Sequence, residues 1–339
     1  MRIALDLRRN WAVAGLTALL VLGLVLPVLA GGAPLGFFIE VLLGGLMAGV
    51  LYSLVALGFV LIFKASGVFN FAQGAMVVFA ALSFARISEV MPFYLALPLT
   101  VAIMVALAFV IERLVLRPLV NQDGLVLVMA TIGITSFLDG FGQSLWGSNV
   151  YLINLGIPKE PMMVLESVFP GGILLSREDV IAAVAAGALV SLLALFFQRT
   201  AVGRALRAVA DDHQAAQSVG IPLNRIWLIV WSVAGVVALV AGIVWGAKLG
   251  VQASLSFLAL KALPVVILGG LTSVPGAIIG GLIIGVGEKM AEVFLAPVMV
   301  RAFDLAGGGI ENWFAYVLAL VFLLVRPQGL FGERHIDRV

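Results

Sequence analysis

Ten apolar segments follow one another along this chain, separated by short polar connections. Most of them approach the roughly 20 residues that a helix needs to cross a bilayer. Only 11% of the residues are charged, whereas a soluble domain carries about 25%. The sequence therefore predicts an all-α, polytopic integral membrane protein in contact with membrane lipid, with eight to ten transmembrane helices among the segments 11–30, 37–63, 68–87, 92–116, 125–146, 180–198, 226–247, 254–271, 274–296 and 312–325.

Two of these segments are doubtful as complete spans. The segment 68–87 opens with the polar residues Asn70 and Gln73, and the segment 254–271 is short and contains Lys261 and Pro264. Either segment could be a broken or re-entrant helix. Such a break is tolerated at membrane depth only where it is buried in protein or lines a water-filled cavity.

The first apolar segment allows two interpretations. Basic residues precede it and small residues follow it, as in a secretory signal peptide. Its length also suits an uncleaved first helix, which is the interpretation we favour. With the N-terminus inside, 13 of the 20 Lys and Arg residues fall on the cytoplasmic side. The positive-inside rule then predicts a multi-pass protein with both termini in the cytoplasm.

A polar, basic island at residues 199–225 lies between two apolar segments. Its Ala, Leu, Arg and Gln residues favour helix. The pair Asp211–Asp212 divides it, and Gly220 followed by Pro222 is a stop signal. The pattern predicts two short helices that meet at the aspartates. We interpret the island as a cytoplasmic docking element, and an ordinary connecting loop with helical turns is the alternative.

Small residues cluster in three places. The clusters are LeuGlyGlyLeuMetAlaGly at 43–49, LeuGlyGlyLeu at 268–271 and GlyAlaIleIleGlyGly at 276–281. Small side chains at such spacing allow helices in lipid to approach closely. The sequence therefore predicts close helix–helix contacts at these positions.

Several polar side chains fall within the apolar segments. Asn70 and Gln73 are three residues apart and hence share one helical face. They could line a translocation path or hold a broken helix, or they could simply join helices. Thr131, Thr135 and Asp139 form a polar face on the fifth segment. A carboxylate is expensive in lipid, so Asp139 is either functional or solvated near the outer interface.

One pair of charges lies inside the ninth segment. Glu288 and Lys289 are adjacent in the chain and therefore point apart on a helix. Glu292 follows Lys289 by three residues, which is a spacing that allows contact. The pattern predicts a structural or interfacial ion pair between Lys289 and Glu292.

The residue types and catalytic motifs that the sequence lacks exclude several classes of protein. The chain has no Cys and only two His residues, His213 and His335, and it contains no GxxxxGK[ST] phosphate loop, GxSxG or HExxH motif. An intramembrane hydrolase would need a nucleophile–base pair, for which no membrane histidine is available. The net charge of +2 gives no support for nucleic-acid binding. We therefore predict a non-enzyme without metal or cofactor, whose energy must come from another chain.

Four stretches give the chain a specific family resemblance. They are Gly203–Ile221, GlyValPheAsnPheAlaGlnGly at 67–74, the Pro-Gly-Ala glycine run at 272–285, and ArgProGlnGlyLeuPheGly at 326–332. Together they resemble the permease subunits of ATP-binding-cassette importers for branched-chain amino acids, and among these the first, H-type, subunit of the permease pair. Gln73 stands where relatives often have His. This departure removes the basis for a proton-linked role and leaves a neutral hydrogen-bonding role open.

The resemblance implies a complete transport assembly in a bacterial inner membrane. Residues 1–339 would form a single transmembrane permease domain that pairs with a second homologous permease. Two cytoplasmic ATPases would grip the loop 199–225, and a periplasmic substrate-binding protein would deliver branched-chain or related small amino acids. Relatives also carry urea, short amides or organic acids. The residues implied in ATPase coupling are Arg204, Arg207, Asp211, Asp212, Ala215 and Gly220.

A partner-independent channel or secondary transporter is the alternative from a different class. It would account for the polar side chains in the membrane without partners. It would leave the island 199–225 unexplained, and co-purification of an ATPase would separate the two hypotheses.

Overall fold

The computed structural model describes residues 34–119, 122–158, 160–169, 171–303 and 309–332. The predicted first segment and both chain ends lie outside these residues. The described elements are α1 (Leu35–Ser66), α2 (Gln73–Ser88), α3 (Phe93–Ile111, extended by a π-helical and a 3-10 turn to Leu119), α4 (Gly124–Trp146), β1 (Pro161–Val164), β2 (Ile173–Ser176), α5 (Arg177–Arg199), α6 (Ala201–Asp211), α7 (His213–Ser218), α8 (Leu223–Leu249), α9 (Leu255–Leu260), α10 (Leu263–Gly269), α11 (Val274–Met290), a π-helical segment (Ala291–Leu295), α12 (Ala296–Phe303) and α13 (Ile310–Val325).

Helices dominate the described structure. Five of them, α1, α3 with its extension, α4, α5 and α8, are long and apolar enough to cross a membrane. Two shorter apolar helices cover Gln73–Ser88 and Trp313–Val325. The predicted all-α, polytopic membrane architecture is thus confirmed. The full number of spans stays a prediction, because the first segment is not among the described residues.

The two doubtful segments fold differently. Helix α2 begins only at Gln73, after an irregular stretch at residues 67–72. The segment 254–271 is divided between α9, which ends at Leu260, and α10, which begins at Leu263. Pro264 occupies the first turn of α10, where a missing N–H leaves no helical hydrogen bond unmade. The broken-helix alternative is therefore confirmed for 254–271, whereas the segment 68–87 contains one continuous helix that is entered through an irregular stretch.

The polar island folds as two short helices. Helix α6 ends at Asp211, Asp212 is extended, and α7 begins immediately afterwards. The Thr200 hydroxyl oxygen accepts a 3.2 Å hydrogen bond from the Gly203 N–H and so caps the start of α6. Gly220 has a φ of +85°, a conformation that suits glycine after a helix. The prediction of two helices meeting at the aspartates is confirmed.

The chain divides into two compact units. The first comprises the described parts of Met1–Ser53, Ile157–Val184 and Leu263–Val339, and the second comprises Leu54–Gly156 and Ala185–Ala262. The single permease domain over 1–339 stays a prediction.

Glycines hold α1 and α11 together in the first unit. A Cβ on Gly285 would lie 2.4 Å from the Gly49 backbone, and one on Gly281 would lie 2.8 Å from the Gly49 carbonyl oxygen. The Ser53 hydroxyl lies between the same helices and contacts the carbonyl oxygens of Gly49 and Ile278 at 2.8 and 3.0 Å. The predicted close approach of helices is confirmed here for the clusters at 43–49 and 276–281.

The segment after α13 packs beside α10 in the same unit. The Leu330 N–H donates to the Leu268 carbonyl at 2.8 Å, and the Phe331 N–H donates to the Gly269 carbonyl at 3.1 Å. Gly270 has a φ of +106°, and its backbone approaches Gly332 too closely for any Cβ. Two of the motifs singled out in the sequence, 268–271 and 326–332, are therefore neighbours.

A small hairpin completes the first unit. Strands β1 and β2 are antiparallel, with Met163 opposite Leu174. The Leu174 N–H donates to a carboxylate oxygen of Glu40 at 3.1 Å. This bond fixes the hairpin beside the beginning of α1.

Helix α8 is the centre of the second unit. Helices α2 and α3 pack against it, and the Trp227 and Trp231 side chains are almost fully buried. The Trp227 indole N–H donates to the Ala65 carbonyl at 3.0 Å. A Cβ on Gly242 would lie 2.7 Å from the Val77 carbonyl oxygen, so α2 approaches α8 through this glycine.

Candidate substrate-path and coupling sites

The break before α2 lies deep within the second unit. The Gln73 side-chain amide donates to the backbone carbonyl of Ala234 at 3.3 Å. Ala234 lies about 16 Å along α8 from Leu223, at a rise of about 1.5 Å per residue. The hydrocarbon core of a bilayer is about 30 Å thick. The first turn of α2 is therefore near the middle of the span formed by α8.

Asn70 organises the turn that leads into α2. Its side-chain carbonyl accepts a 3.0 Å hydrogen bond from the Ala72 N–H. Its amide nitrogen lies 3.4 Å from the Gln73 side-chain oxygen and 3.9 Å from the Met76 sulfur. Asn70 and Gln73 are both fully buried. Buried amides are tolerated only when they are hydrogen-bonded, and these two largely satisfy each other and the local backbone.

Thr131 joins α4 to the same break. Its hydroxyl oxygen accepts from the Phe71 N–H at 3.4 Å and donates to the Val128 carbonyl at 2.9 Å. The side chain is almost fully buried. The structure thus brings Asn70, Gln73 and Thr131 together in one polar cluster, which we call the break cluster.

Thr135 and Asp139 lie outside the break cluster. The Thr135 hydroxyl donates to the Thr131 carbonyl of its own helix at 2.9 Å. Both side chains are half-buried. Asp139 is about 12 Å from Thr131 along the helix axis. The polar face predicted for the fifth segment therefore leads from the break cluster towards the surface of the unit.

Two glycines make room for the break cluster, and sequence reasoning did not single them out for this role. A Cβ on Gly58 would lie 2.7 Å from the Gln73 amide nitrogen, and one on Gly74 would lie 2.6 Å from the Ser256 carbonyl oxygen. Gly74 thus lets the first turn of α2 touch the first turn of α9. Gly58 stands alone in an apolar run, so no local pattern could have distinguished it from other membrane glycines.

The residues predicted for coupling lie on or beside α6 and α7. The Arg204, Arg207, Asp211 and Ala215 residues are exposed. Leu206 and Val209 on the opposite face of α6 are buried. Helix α6 therefore packs on the unit through an apolar face and presents charge outward.

Some of these residues also have local structural contacts. The Arg207 guanidinium donates to the Phe197 carbonyl at 2.9 Å. The Asp212 carboxylate accepts from the Ala215 N–H at 3.0 Å, as an N-cap does at the start of a helix. Gly220 is exposed after α7. Arg204 and Asp211 are accordingly the better candidates for a purely external contact.

The predicted ion pair in the ninth segment is confirmed. The Lys289 ammonium lies 2.7 Å from a Glu292 carboxylate oxygen. Glu288, beside it in sequence, is buried and hydrogen-bonded by Tyr52. The described residues contain no group of three His, Asp or Glu side chains suited to holding a metal ion.

Residues 41–326 match the family described as "Branched-chain amino acid transport system / permease component". This match covers most of the chain. The chain belongs to that family of permeases. It is accordingly a permease component and not an enzyme, as the sequence predicted.

Individual permeases agree with this assignment. The chain is 29% identical over 314 residues to the high-affinity branched-chain amino acid transport system permease protein BraD of Pseudomonas aeruginosa, covering 89% of this chain and 98% of BraD. It is 29% identical over 315 residues to LivH of Salmonella typhimurium, with the same coverage. A probable LivH of Methanocaldococcus jannaschii is 29% identical over 300 residues, covering 86% of this chain and 92% of that protein.

One solved structure was also similar. PsaBC from Streptococcus pneumoniae in complex with Fab aligns with a TM-score of 0.46 and 16% sequence identity, covering 87% of this chain and 97% of that chain.

The family settles the class of protein but not the role of each residue. Permease components of such importers work with an ATPase and a binding protein. The substrate-path roles of Asn70, Gln73, Thr131, Thr135 and Asp139, and the coupling roles of Arg204, Arg207, Asp211, Asp212, Ala215 and Gly220, stay predictions.

Proposed function

We propose that this permease imports branched-chain or related small amino acids across a bacterial inner membrane. Its relatives BraD and LivH are named for branched-chain amino acid transport. The proposed assembly pairs this chain with a second homologous permease, two cytoplasmic ATPases and a periplasmic binding protein. Both chain termini and the island 199–225 would lie in the cytoplasm.

The observation that carries the proposal is that α6 has one buried apolar face and one exposed charged face. Its buried face holds Leu206 and Val209 against the second unit, while Arg204 and Asp211 point outward. A channel or secondary transporter has no evident use for a packed helix that presents charge away from the membrane spans. A partner ATPase would push on this helix, and its close packing would transmit the movement into α5 and α8.

The break cluster provides a structural basis for transport in this proposal. An interrupted helix near mid-depth is a common device of transporters, because it leaves backbone groups available inside the span. Asn70, Gln73 and Thr131 would hold the break in shape. Thr135 and Asp139 would extend a polar path from it along α4.

Reconstituted uptake tests the proposal. The permease complex, purified with its partners in proteoliposomes, is expected to accumulate radiolabelled leucine only when ATP and the binding protein are supplied. Asp211→Lys is expected to lower that uptake at least tenfold while leaving the melting temperature unchanged. Gln122→Lys is the control, since Gln122 is exposed in a different connection, between α3 and α4.

The outcomes separate the hypotheses. Leucine flux that needs neither ATP nor a partner chain would identify a channel or secondary transporter. Normal ATP-driven uptake by Asp211→Lys would remove α6 from the coupling mechanism.

A further inference from the structure

A pair of opposite charges lies within the predicted ninth transmembrane segment, in the first unit. Helix α11, the π-helical segment and α12 follow one another without a gap from Val274 to Phe303. At about 1.5 Å per residue this run is about 45 Å long, and Lys289 lies about halfway along it. A Cβ on Gly45 would lie 3.3 Å from the Lys289 Cβ. Gly45 is itself about 15 Å along α1 from its first residue.

The Lys289 and Glu292 side chains are partly exposed at the surface of the unit. The Lys289 and Glu292 side chains are 41% and 43% exposed. Charged side chains within transmembrane segments face a protein interior or a water-filled cavity, because hydrocarbon does not solvate them. A lysine alone could extend towards the interface, but a paired carboxylate exposed at the same place is poorly explained by that behaviour.

Further polar groups surround the pair. The Tyr52 hydroxyl is hydrogen-bonded to the Glu288 carboxylate. Tyr52 and Glu288 are buried, in contrast to the partly exposed pair. We call the set Tyr52, Glu288, Lys289 and Glu292 the α11 charge cluster.

The backbone at the charge cluster is also irregular. The π-helical segment begins at Ala291, directly after Lys289 and Met290, and contains Glu292. Such π-helical insertions in α-helices occur frequently at functional sites. The insertion changes the angular position of Glu292 relative to a continuous α-helix, and so contributes to where its carboxylate lies beside Lys289.

We propose that the α11 charge cluster is a binding site for a small zwitterion on the transport path. The Lys289 ammonium would receive the substrate carboxylate, and the Glu292 carboxylate would receive its ammonium group. Each substrate charge would then replace one partner of the existing ion pair. The hydrogen-bonded side chains of Tyr52 and Glu288 would form the polar base of this site, beneath Lys289 and Glu292. This inference rests on the proposed importer function and adds the residues that bind the two charges of the amino acid.

Single cysteines test accessibility directly, because the natural chain contains none. Lys289→Cys and Glu292→Cys are prepared in the full complex in proteoliposomes without ATP and treated with a membrane-impermeant methanethiosulfonate. Both cysteines are expected to react, and leucine is expected to slow each reaction at least fivefold. Urea, which is uncharged, is expected to give no protection. Ile283→Cys is the control, because Ile283 is also exposed on α11 but points to a different side of the helix.

Uptake by charge variants gives a second reading. Lys289→Met and Glu292→Gln are each expected to lower leucine uptake at least tenfold. The exchanged pair Lys289→Glu with Glu292→Lys is expected to keep the melting temperature but not the uptake, since the substrate charges would meet the wrong groups. Restored uptake in the exchanged pair would show that the ion pair is only structural and would overturn the proposal.

The remaining outcomes are equally decisive. Cysteines that do not react would place the pair against lipid or a partner subunit, and reaction without protection by leucine would remove it from the binding site. Both results overturn the charge-cluster proposal while wild-type leucine uptake persists. Absence of ATP-driven leucine uptake by the wild-type complex would instead contradict the importer function itself.

Discussion

Gln73 is hydrogen-bonded through its side-chain amide to the backbone carbonyl of Ala234, at 3.3 Å. This contact ties the first turn of α2 to the middle of α8. It depends on Gly58, because a Cβ at that position would lie 2.7 Å from the Gln73 amide nitrogen. The position of the Gln73 side chain in the break cluster therefore depends on the Ala234 carbonyl and on the absence of a side chain at Gly58.

The first prediction is that Gly58→Ala lowers stability in the wild-type protein but raises it when Gln73 is replaced by alanine. In the wild-type background the new methyl group displaces the Gln73 amide and breaks its hydrogen bond, so we expect the free energy of unfolding to fall by about 1 kcal/mol. In a Gln73→Ala background the obstacle is gone, and the higher helix propensity of alanine should raise stability by up to about 1 kcal/mol. Thermal melting of the four proteins in detergent measures this coupling. Additive effects would show that the two positions do not interact.

The second prediction concerns the glycine contact between α1 and α11. Gly285→Ala places a Cβ 2.4 Å from the Gly49 backbone, which cannot move as a flexible side chain would. We expect a loss of about 1–3 kcal/mol of stability and a lower yield of folded protein. Gly44→Ala is the matched control, because nothing lies within 4 Å of its Cβ position. Equal melting temperatures for the two variants would contradict close helix packing at Gly285.

Sequence periodicity and composition were sufficient for most of the architecture. The apolar lengths identified the long helices, because a membrane span needs a continuous run that hydropathy detects. The breaks near Gln73 and Pro264 were also visible, since a polar amide and a proline each interrupt such a run. Likewise, the aspartates at 211–212 marked the boundary between α6 and α7.

Other features depended on tertiary contacts that no local pattern encodes. The partner of Gln73 is a backbone carbonyl 161 positions away in the chain, and any residue type could supply it. Glu288 and Glu292 have similar surroundings in sequence, yet one is buried behind Tyr52 and the other is exposed. The partial exposure of the Lys289–Glu292 pair also results from tertiary packing, which the spacing of the two residues did not reveal.

The third prediction separates two arginines that sequence reasoning treated alike. Arg204 is exposed on α6, whereas the Arg207 guanidinium donates to the Phe197 carbonyl. Arg204→Glu is therefore expected to lower ATP-driven uptake at least tenfold without changing the melting temperature. Arg207→Met is expected to lower uptake and, in addition, to lower the free energy of unfolding by about 1 kcal/mol, because the hydrogen bond to the end of α5 is lost. Uptake and melting are measured on the same preparations, and identical behaviour of the two variants would show that this distinction is wrong.

The fourth prediction concerns the start of α6, where the cytoplasmic element leaves the membrane span. The Thr200 hydroxyl oxygen accepts from the Gly203 N–H at 3.2 Å, and the hydroxyl donates to the Phe196 carbonyl at 2.7 Å. Thr200→Ala removes both bonds and should lower the free energy of unfolding by about 1 kcal/mol, the usual loss for an N-cap. Thr200→Ser keeps the hydroxyl and should melt like the wild type.

The same variants connect the cap to transport. If α6 transmits force from an ATPase, a frayed first turn should lower the number of leucine molecules imported per ATP hydrolysed, while Thr200→Ser keeps the wild-type ratio. Hydrolysis and uptake are measured together in proteoliposomes. A wild-type ratio in Thr200→Ala, despite a lower melting temperature, would mean that the Thr200 cap supports folding and has no part in coupling.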